Sequence, residues 1–313
     1  MTRFQFLVPV DGSERSKTAA KHAVELAKKY GAEVSTMFVV DTHRFLLPDI
    51  LEIIKSAGEE YVSYVRELAQ NNGVTVRSAE VLSGLPVEMI VNKAKEIDAN
   101  IIVIAAKGGI ESGGPSIGFI ANRVLRYSSS HVLLVRSTEN REHYQNILIS
   151  TDGSKDAKYA AHFGMSIARR YNAKVYACNI VDTKDKILQR HITTLEEAGK
   201  GKALGEPLIF SEHIINRLRE HLREDAALIA EDVKKIADEK GITTEIIVKD
   251  GKAAPEILKI VKDRNIDLVV LGSHGKSSIS KLLVGSISEK IASTAKCSVL
   301  VVRGSRIERV VLE

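Results

Sequence analysis

The chain has 313 residues, with 45 Lys and Arg against 40 Asp and Glu and a formal net charge of +5. At 44% apolar residues, 5% aromatics and no Trp, it reads as a globular chain long enough for two domains, without the aromatic platforms that stack single-stranded nucleic acid. Charges of both signs mix along helical faces and no apolar run reaches transmembrane length, so the expectation is a cytoplasmic protein that binds neither nucleic acid nor membrane.

Met1 to Val10 runs into a strand-like segment with Arg3 near its start, too short and too early for a signal peptide. Short Val- and Ile-rich runs predict strands near 4–10, 33–40, 74–82, 101–105 and 131–136. Helical periodicity predicts helices near 14–30, 50–71, 86–98 and 120–129 between them. Polar residues 137–145 read as a linker. Cys178 and Cys297 have no CxxC spacing and read as buried, reduced thiols.

The pattern then repeats. Val10-Asp11-Gly12-Ser13 recurs as Thr151-Asp152-Gly153-Ser154, and Val39-Val40-Asp41-Thr42 as Ile180-Val181-Asp182-Thr183, both at an offset of 141. Val132-Leu133-Leu134-Val135-Arg136 recurs as Val299-Leu300-Val301-Val302-Arg303 at an offset of 167. The second half therefore carries 26 extra residues between Asp182 and Gly251. Two tandem α/β domains follow, 1–138 and 144–304, each a doubly wound five-stranded parallel sheet with helices on both faces. The insert, within 183–240, begins with a loop from Glu196 to Pro207 and continues as a helical stripe, Ile215, Leu218, Leu222, Ala226, Ile229, Val233 and Ile236. That helix either packs on the sheet or serves as a lid or an oligomer contact.

After the apolar run Ile266–Leu271 come Gly272-Ser273-His274-Gly275 and, nine residues on, Gly285-Ser286. Glycines let main-chain N–H groups approach an anion, and Ser286-Ile287-Ser288-Glu289 has the form of a capping box at a helix N-terminus, which favours negative charge. Gly275-Lys276-Ser277 imitates the end of a P-loop, but the position five before its glycine is Val270, so that motif fails.

Gly-x-x-Gly, nine residues, then Gly-Ser, with the Asp-Gly-Ser start and the duplicated five-strand pattern, resembles the ATP-binding branch of the universal stress protein family. The resemblance covers both halves and implies the adenine nucleotide alpha hydrolase-like fold. It implies ATP with Mg²⁺ or Mn²⁺. Asp152 would contact the nucleoside, Ile180 would line the adenine pocket, and Leu271 and Gly272 would follow the ribose and phosphate path. Gly275, Gly285, Ser286 and Ser288 would hold the phosphates, with Ile287 in the same set and His274 and Lys276 within reach. The same resemblance implies pairing of the fifth strands, Val132–Val135 with Val299–Val302, as an intramolecular pseudo-dimer. A further homodimer contact is open, to which Ile307–Leu312 could add an edge strand.

The first half departs from this pattern. Ala105 stands for Gly272 and Phe119 for Ser286, with Gly113-Gly114-Pro115 altering the loop between. The expectation is a degenerate copy that does not bind ATP, with the Phe119 ring in the phosphate space and Asp11 as a helix-capping residue. The loop carries no base or arginine arranged for chemistry. The reading is thus a nucleotide-dependent regulatory module acting on an unidentified protein partner. A slow ATPase, an autophosphorylating enzyme and a sensor of another adenine nucleotide remain as alternatives.

Overall fold

The computed structural model describes residues 4–44, 47–109, 116–136, 143–182, 210–275 and 284–304. The 196–207 loop, Gly113–Pro115, Lys276 and 307–312 of the sequence reading lie outside them, as does the side chain of Ile215.

The first half runs β1 (Gln5–Val10), α1 (Glu14–Tyr30), β2 (Glu33–Asp41), α2 (Pro48–Asn71), β3 (Val76–Gly84), α3 (Pro86–Glu96), β4 (Ile101–Ala105), α4 (Phe119–Tyr127) and β5 (His131–Val135). The second half runs β6 (Asn146–Ser150), α5 (Lys155–Tyr171), β7 (Lys174–Val181), α6 (Phe210–Glu239), β8 (Thr244–Asp250), α7 (Ala253–Asp263), β9 (Leu268–Gly272), α8 (Ser286–Thr294) and β10 (Ser298–Val302). Within each half every strand pairing is parallel, in the orders β3-β2-β1-β4-β5 and β8-β7-β6-β9-β10. Both faces of the sheet are covered, which is why β1, β4, β5, β9 and β10 are buried along their whole length. Helices α1, α2, α5 and α6 supply one hydrophobic layer, and α3, α4, α7 and α8 the other.

The local signals of the two halves match. Ser13 and Ser154 cap α1 and α5, accepting from the amides of Ser16 and Ala157. At the other ends Gly31 (φ 59°) and Asn172 (φ 52°) take the left-handed conformation that closes a helix. The 26-residue difference resolves into two events. Gly73 matches Gly241 at an offset of 168, and a bulge in β3 skips Arg77, where β8 pairs without interruption.

β5 and β10 pair antiparallel with Leu133 opposite Leu300, joining the two five-stranded sheets into one of ten strands. Gln145 and Asn146 donate their amides to Asp267 of the second half (2.8 and 3.1 Å), and the buried Tyr144 lies with its hydroxyl 3.3 Å from Nδ1 of His22 in the first half. α6 packs on β7, β8 and α5. Its buried line is Ala226, Ala230, Val233 and Ala237, so two small residues that the apolar stripe missed let the helix lie close to the sheet. Cys178 and Cys297 are buried free thiols, and burial pushes both up to about 12.

Candidate functional site

The carboxyl ends of β6, β7 and β9 meet the N-terminus of α8 around a cleft of about 220 Å³. Asp152, Ile180, Leu271, Gly272, His274, Gly275, Gly285, Ser286, Ile287 and Ser288 all line it. Such sheets place a crevice at this edge because the chain leaves neighbouring strands in opposite directions. Ile180, Leu271 and Ile257 of α7 supply apolar lining, together with the buried Asn179.

The glycines are there for close approach, since neither Gly272, Gly275 nor Gly285 has a positive φ. A Cβ on Gly275 would lie 2.7 Å from Oδ2 of Asp152. On Gly272 it would lie 2.7 Å from the carbonyl carbon of Asp156 and 2.8 Å from the amide of Ala157, so this glycine serves the packing of α5 on β9. On Gly285 it would meet the Ser273 carbonyl at 3.3 Å, a group to which the Gly285 amide already donates at 2.7 Å.

Ser286 differs from its expected role. The residue before α8 is Gly285, with no side-chain cap, and Ser286 is the first helical residue, so no capping box forms. The first intrahelical bond runs from the Glu289 amide to the Gly285 carbonyl. The amides of Ser286, Ile287 and Ser288 thus precede the ladder at the cleft, the position from which helix amides reach anions. Ser288 is buried and donates its hydroxyl to the Gly272 carbonyl at 2.7 Å, tying the strand end to the helix.

One cluster escaped the sequence reading. Asp156, on the first turn of α5, accepts from the Ser273 hydroxyl at 2.8 Å and lies 3.2 Å from Nδ1 of His274, which is itself 2.8 Å from Ser273 Oγ. Nε2 of His274 is buried and has no hydrogen-bond partner among the described residues. The counterparts in the first half are Arg15, Ala106 and Lys107, three simultaneous changes that the repeat offsets of 141 and 167 expose. Asp152 accepts the Ser154 amide at 2.9 Å, which fixes its carboxylate at the mouth of the cleft. Among the described residues no group of three His, Cys, Asp or Glu converges to hold a metal ion.

Among the described residues the first half also has a cleft at the equivalent place. Its cleft measures about 430 Å³. Phe119, expected in the phosphate space, is 63% exposed with the Arg123 guanidinium 4.7 Å from its ring, because the first turn of α4 turns that position outward. Asp11 supports the cap and is not the cap itself: it accepts from the amide and hydroxyl of Ser13 (3.0 and 2.6 Å) and from the Gly109 amide (3.1 Å). Burial works to raise the Asp11 carboxyl, and the bonds from Ser13, Ser16 and Gly109 outweigh it, holding it below its ordinary value.

This doubled, parallel α/β architecture with a cleft at the strand ends of each half defines a tandem, doubly wound α/β protein. The sequence profile of the universal stress protein family matches residues 3–136 and again 143–303, and the chain belongs to that family. A universal stress protein of Methanocaldococcus jannaschii is 31% identical over 170 residues, 54% of this chain and 87% of its own. Universal stress protein YxiE of Bacillus subtilis is 28% identical over 160 residues, 51% of this chain and 99% of its own. The crystal structure of a universal stress protein from Archaeoglobus fulgidus superposes with a TM-score of 0.66 at 18% identity, covering 97% of this chain and all of the other, and so has the same tandem fold.

Proposed function

We propose that the second half binds ATP and that the chain is a cytoplasmic, nucleotide-dependent regulatory module of the stress response, not an enzyme. One observation carries this: ten residues from four separate segments, named from the family resemblance, line a single cleft with a helix N-terminus on its edge. An adenine ring suits the slot between Ile180, Leu271 and Ile257. The glycine loop and the first-turn amides of α8 supply donors for phosphate. Mg²⁺ or Mn²⁺ would arrive on the phosphates and neutralise part of their charge, since the described side chains form no cluster of their own for it.

The β5–β10 pairing supports reading the halves as an intramolecular pseudo-dimer, in which nucleotide in one half changes the surface offered to a protein partner or a second chain. For ATP to act as a switch it must bind one state better than the other. A second reading, slow hydrolysis or self-phosphorylation, draws on the Asp156–His274 pair beside the cleft. Calorimetric titration of the full chain with Mg-ATP tests the main reading. It predicts one nucleotide per chain and loss of binding in Gly275→Val, whose side chain meets Asp152. Two nucleotides per chain, or unchanged affinity in that variant, overturns it. Rapid multiple turnover lost in the same variant would favour the enzyme.

A further inference from the structure

The first half holds the larger cleft, about 430 Å³ against about 220 Å³, and the larger one falls within the usual size of a small-molecule site, ~300–1,000 Å³. The topology alone places a crevice at this edge of the sheet, so its lining decides what it can hold. This one stays open between the ends of β1, β2 and β4 and the underside of α2.

Its walls differ in chemistry from those of the second half at matched positions. Phe38 stands where the second cleft has the buried Asn179. Ala121 replaces Ser288, and Ala105 replaces Gly272. The helix above follows the same trend. Tyr61 rests against Gly12 as Ile229 rests against Gly153, which fixes the alignment of α2 with α6 at an offset of 168. On that alignment Ile53 and Ala57, both on the cleft, match His221 and Asp225, which lie 3.9 Å apart in an exposed pair. The changes at Phe38, Ala121, Ile53 and Ala57 each remove polar atoms, while Ser16 and Tyr61 each bring a hydroxyl where the second half has Ala157 and Ile229.

At the rim the cleft has Asp11 and Asp41 together with Arg44 and Lys107, two charges of each sign that leave no net charge there. The Gly109 amide, one of the backbone donors of this loop, is bonded to Asp11. Ile53 is 69% exposed at the edge, an apolar side chain held in water beside an apolar opening.

We infer that the first-half cleft is a second ligand site, for an uncharged, largely apolar small molecule. The inference does not depend on ATP binding in the second half. The two sites would let one chain join a nucleotide signal to an apolar one across the β5–β10 seam.

The probe is N-phenyl-1-naphthylamine, a neutral dye that fluoresces in apolar surroundings, titrated into the full chain with and without saturating Mg-ATP. The expected result is saturable binding at one dye per chain that ATP does not displace. Ala57→Trp fills the cleft from a half-buried position and Ile53→Gln makes its edge polar; each should weaken the dye about tenfold or more. Circular dichroism checks that both fold, and Ile53, being exposed, carries little risk to the core. Gly275→Val should leave dye binding unchanged, and so should Phe119→Ser, which alters the exposed apolar surface outside the cleft. No saturable binding, displacement by ATP, unchanged affinity in both cleft variants, or loss of binding in Phe119→Ser each overturns the inference.

Discussion

Arg136 and Arg303 occupy the same place in the two halves, and each donates to the end of a helix belonging to the other half. The Arg136 guanidinium donates to the carbonyls of Ala292 and Ala295 (2.6 Å to the latter) at the end of α8, and Arg303 to that of Leu125 near the end of α4. Their amides cross the seam in the same way, from Arg136 to Ser298 Oγ at 3.2 Å and from Arg303 to His131 Nδ1 at 2.9 Å. A cation at a helix C-terminus meets both unsatisfied carbonyls and the negative end of the dipole.

Removing either arginine side chain leaves carbonyls at the seam without their donors. Arg136→Met or Arg303→Met should each cost about 2 kcal/mol, the range for buried polar groups left unpaired. Burial pushes both guanidinium groups down from their ordinary values, so part of the loss is regained by no longer burying a charge. The double variant should unfold in two urea transitions, one for each half. A single transition at the wild-type midpoint would show that the clasp carries nothing.

The motif glycines should fail in different ways. Gly272→Ala drives a Cβ into the backbone of α5, which is rigid, and should lower stability by about 1–3 kcal/mol, as overpacking does. Gly275→Ala pushes only on the Asp152 carboxylate, so the thermal midpoint should barely move while ATP affinity falls. Differential scanning fluorimetry and calorimetry on the two variants separate these effects. Equal loss of stability in both would refute the assignment of Gly272 to packing.

His22 makes the fold sensitive to mild acid. Burial, helped by His143, lowers its pKa from 6.5 to about 4, so the imidazole is neutral in the fold beside the Tyr144 hydroxyl at 3.3 Å. Between those values the unfolded chain takes up a proton that the folded chain excludes. Stability is therefore whole above about pH 6.5 and falls as pH drops toward about 4, by about 3 kcal/mol in all. Carboxylates such as Asp11, held below 3.8, lose their contribution only at lower pH, so the two windows are distinct. Urea midpoints at pH 7 and pH 4.5 should differ for the wild type and much less for His22→Gln.

Strand ends were legible in the sequence because parallel strands buried on both faces are continuous apolar runs, and the residue after each run, Asp152 or Gly272, must lie at one edge of the sheet. The repeat made this firmer, since two copies had to agree. Side-chain direction was not legible. Phe119 and Ser286 align, yet α4 turns Phe119 outward, and Ser286 lies inside its helix because Gly285 takes the boundary. Ala230 and Ala237 went unread because a small buried residue leaves no mark on an apolar stripe. Asp156 was missed because its partner His274 is 118 residues away, a contact that only the packed sheet creates.

Asp156→Asn discriminates between two roles for that carboxylate by sign. As a bare negative charge near a phosphate site it would oppose ATP, and its removal would tighten binding by roughly 1 kcal/mol or less at the dielectric of a partly exposed cleft. As the residue that orients His274 through Nδ1 it supports binding, and its removal weakens it. The shared bonds among Asp156, Ser273 and His274 favour the second outcome, because among the described residues the ring has no other anchor. Asp156→Asn should therefore lower ATP affinity about tenfold, and His274→Gln should do the same. The double variant should be no weaker than either alone, because residues that act as one unit are not additive. Calorimetry on the four proteins of this cycle reads the answer, and tighter binding in Asp156→Asn, or additive losses, would show that the carboxylate does not work through His274.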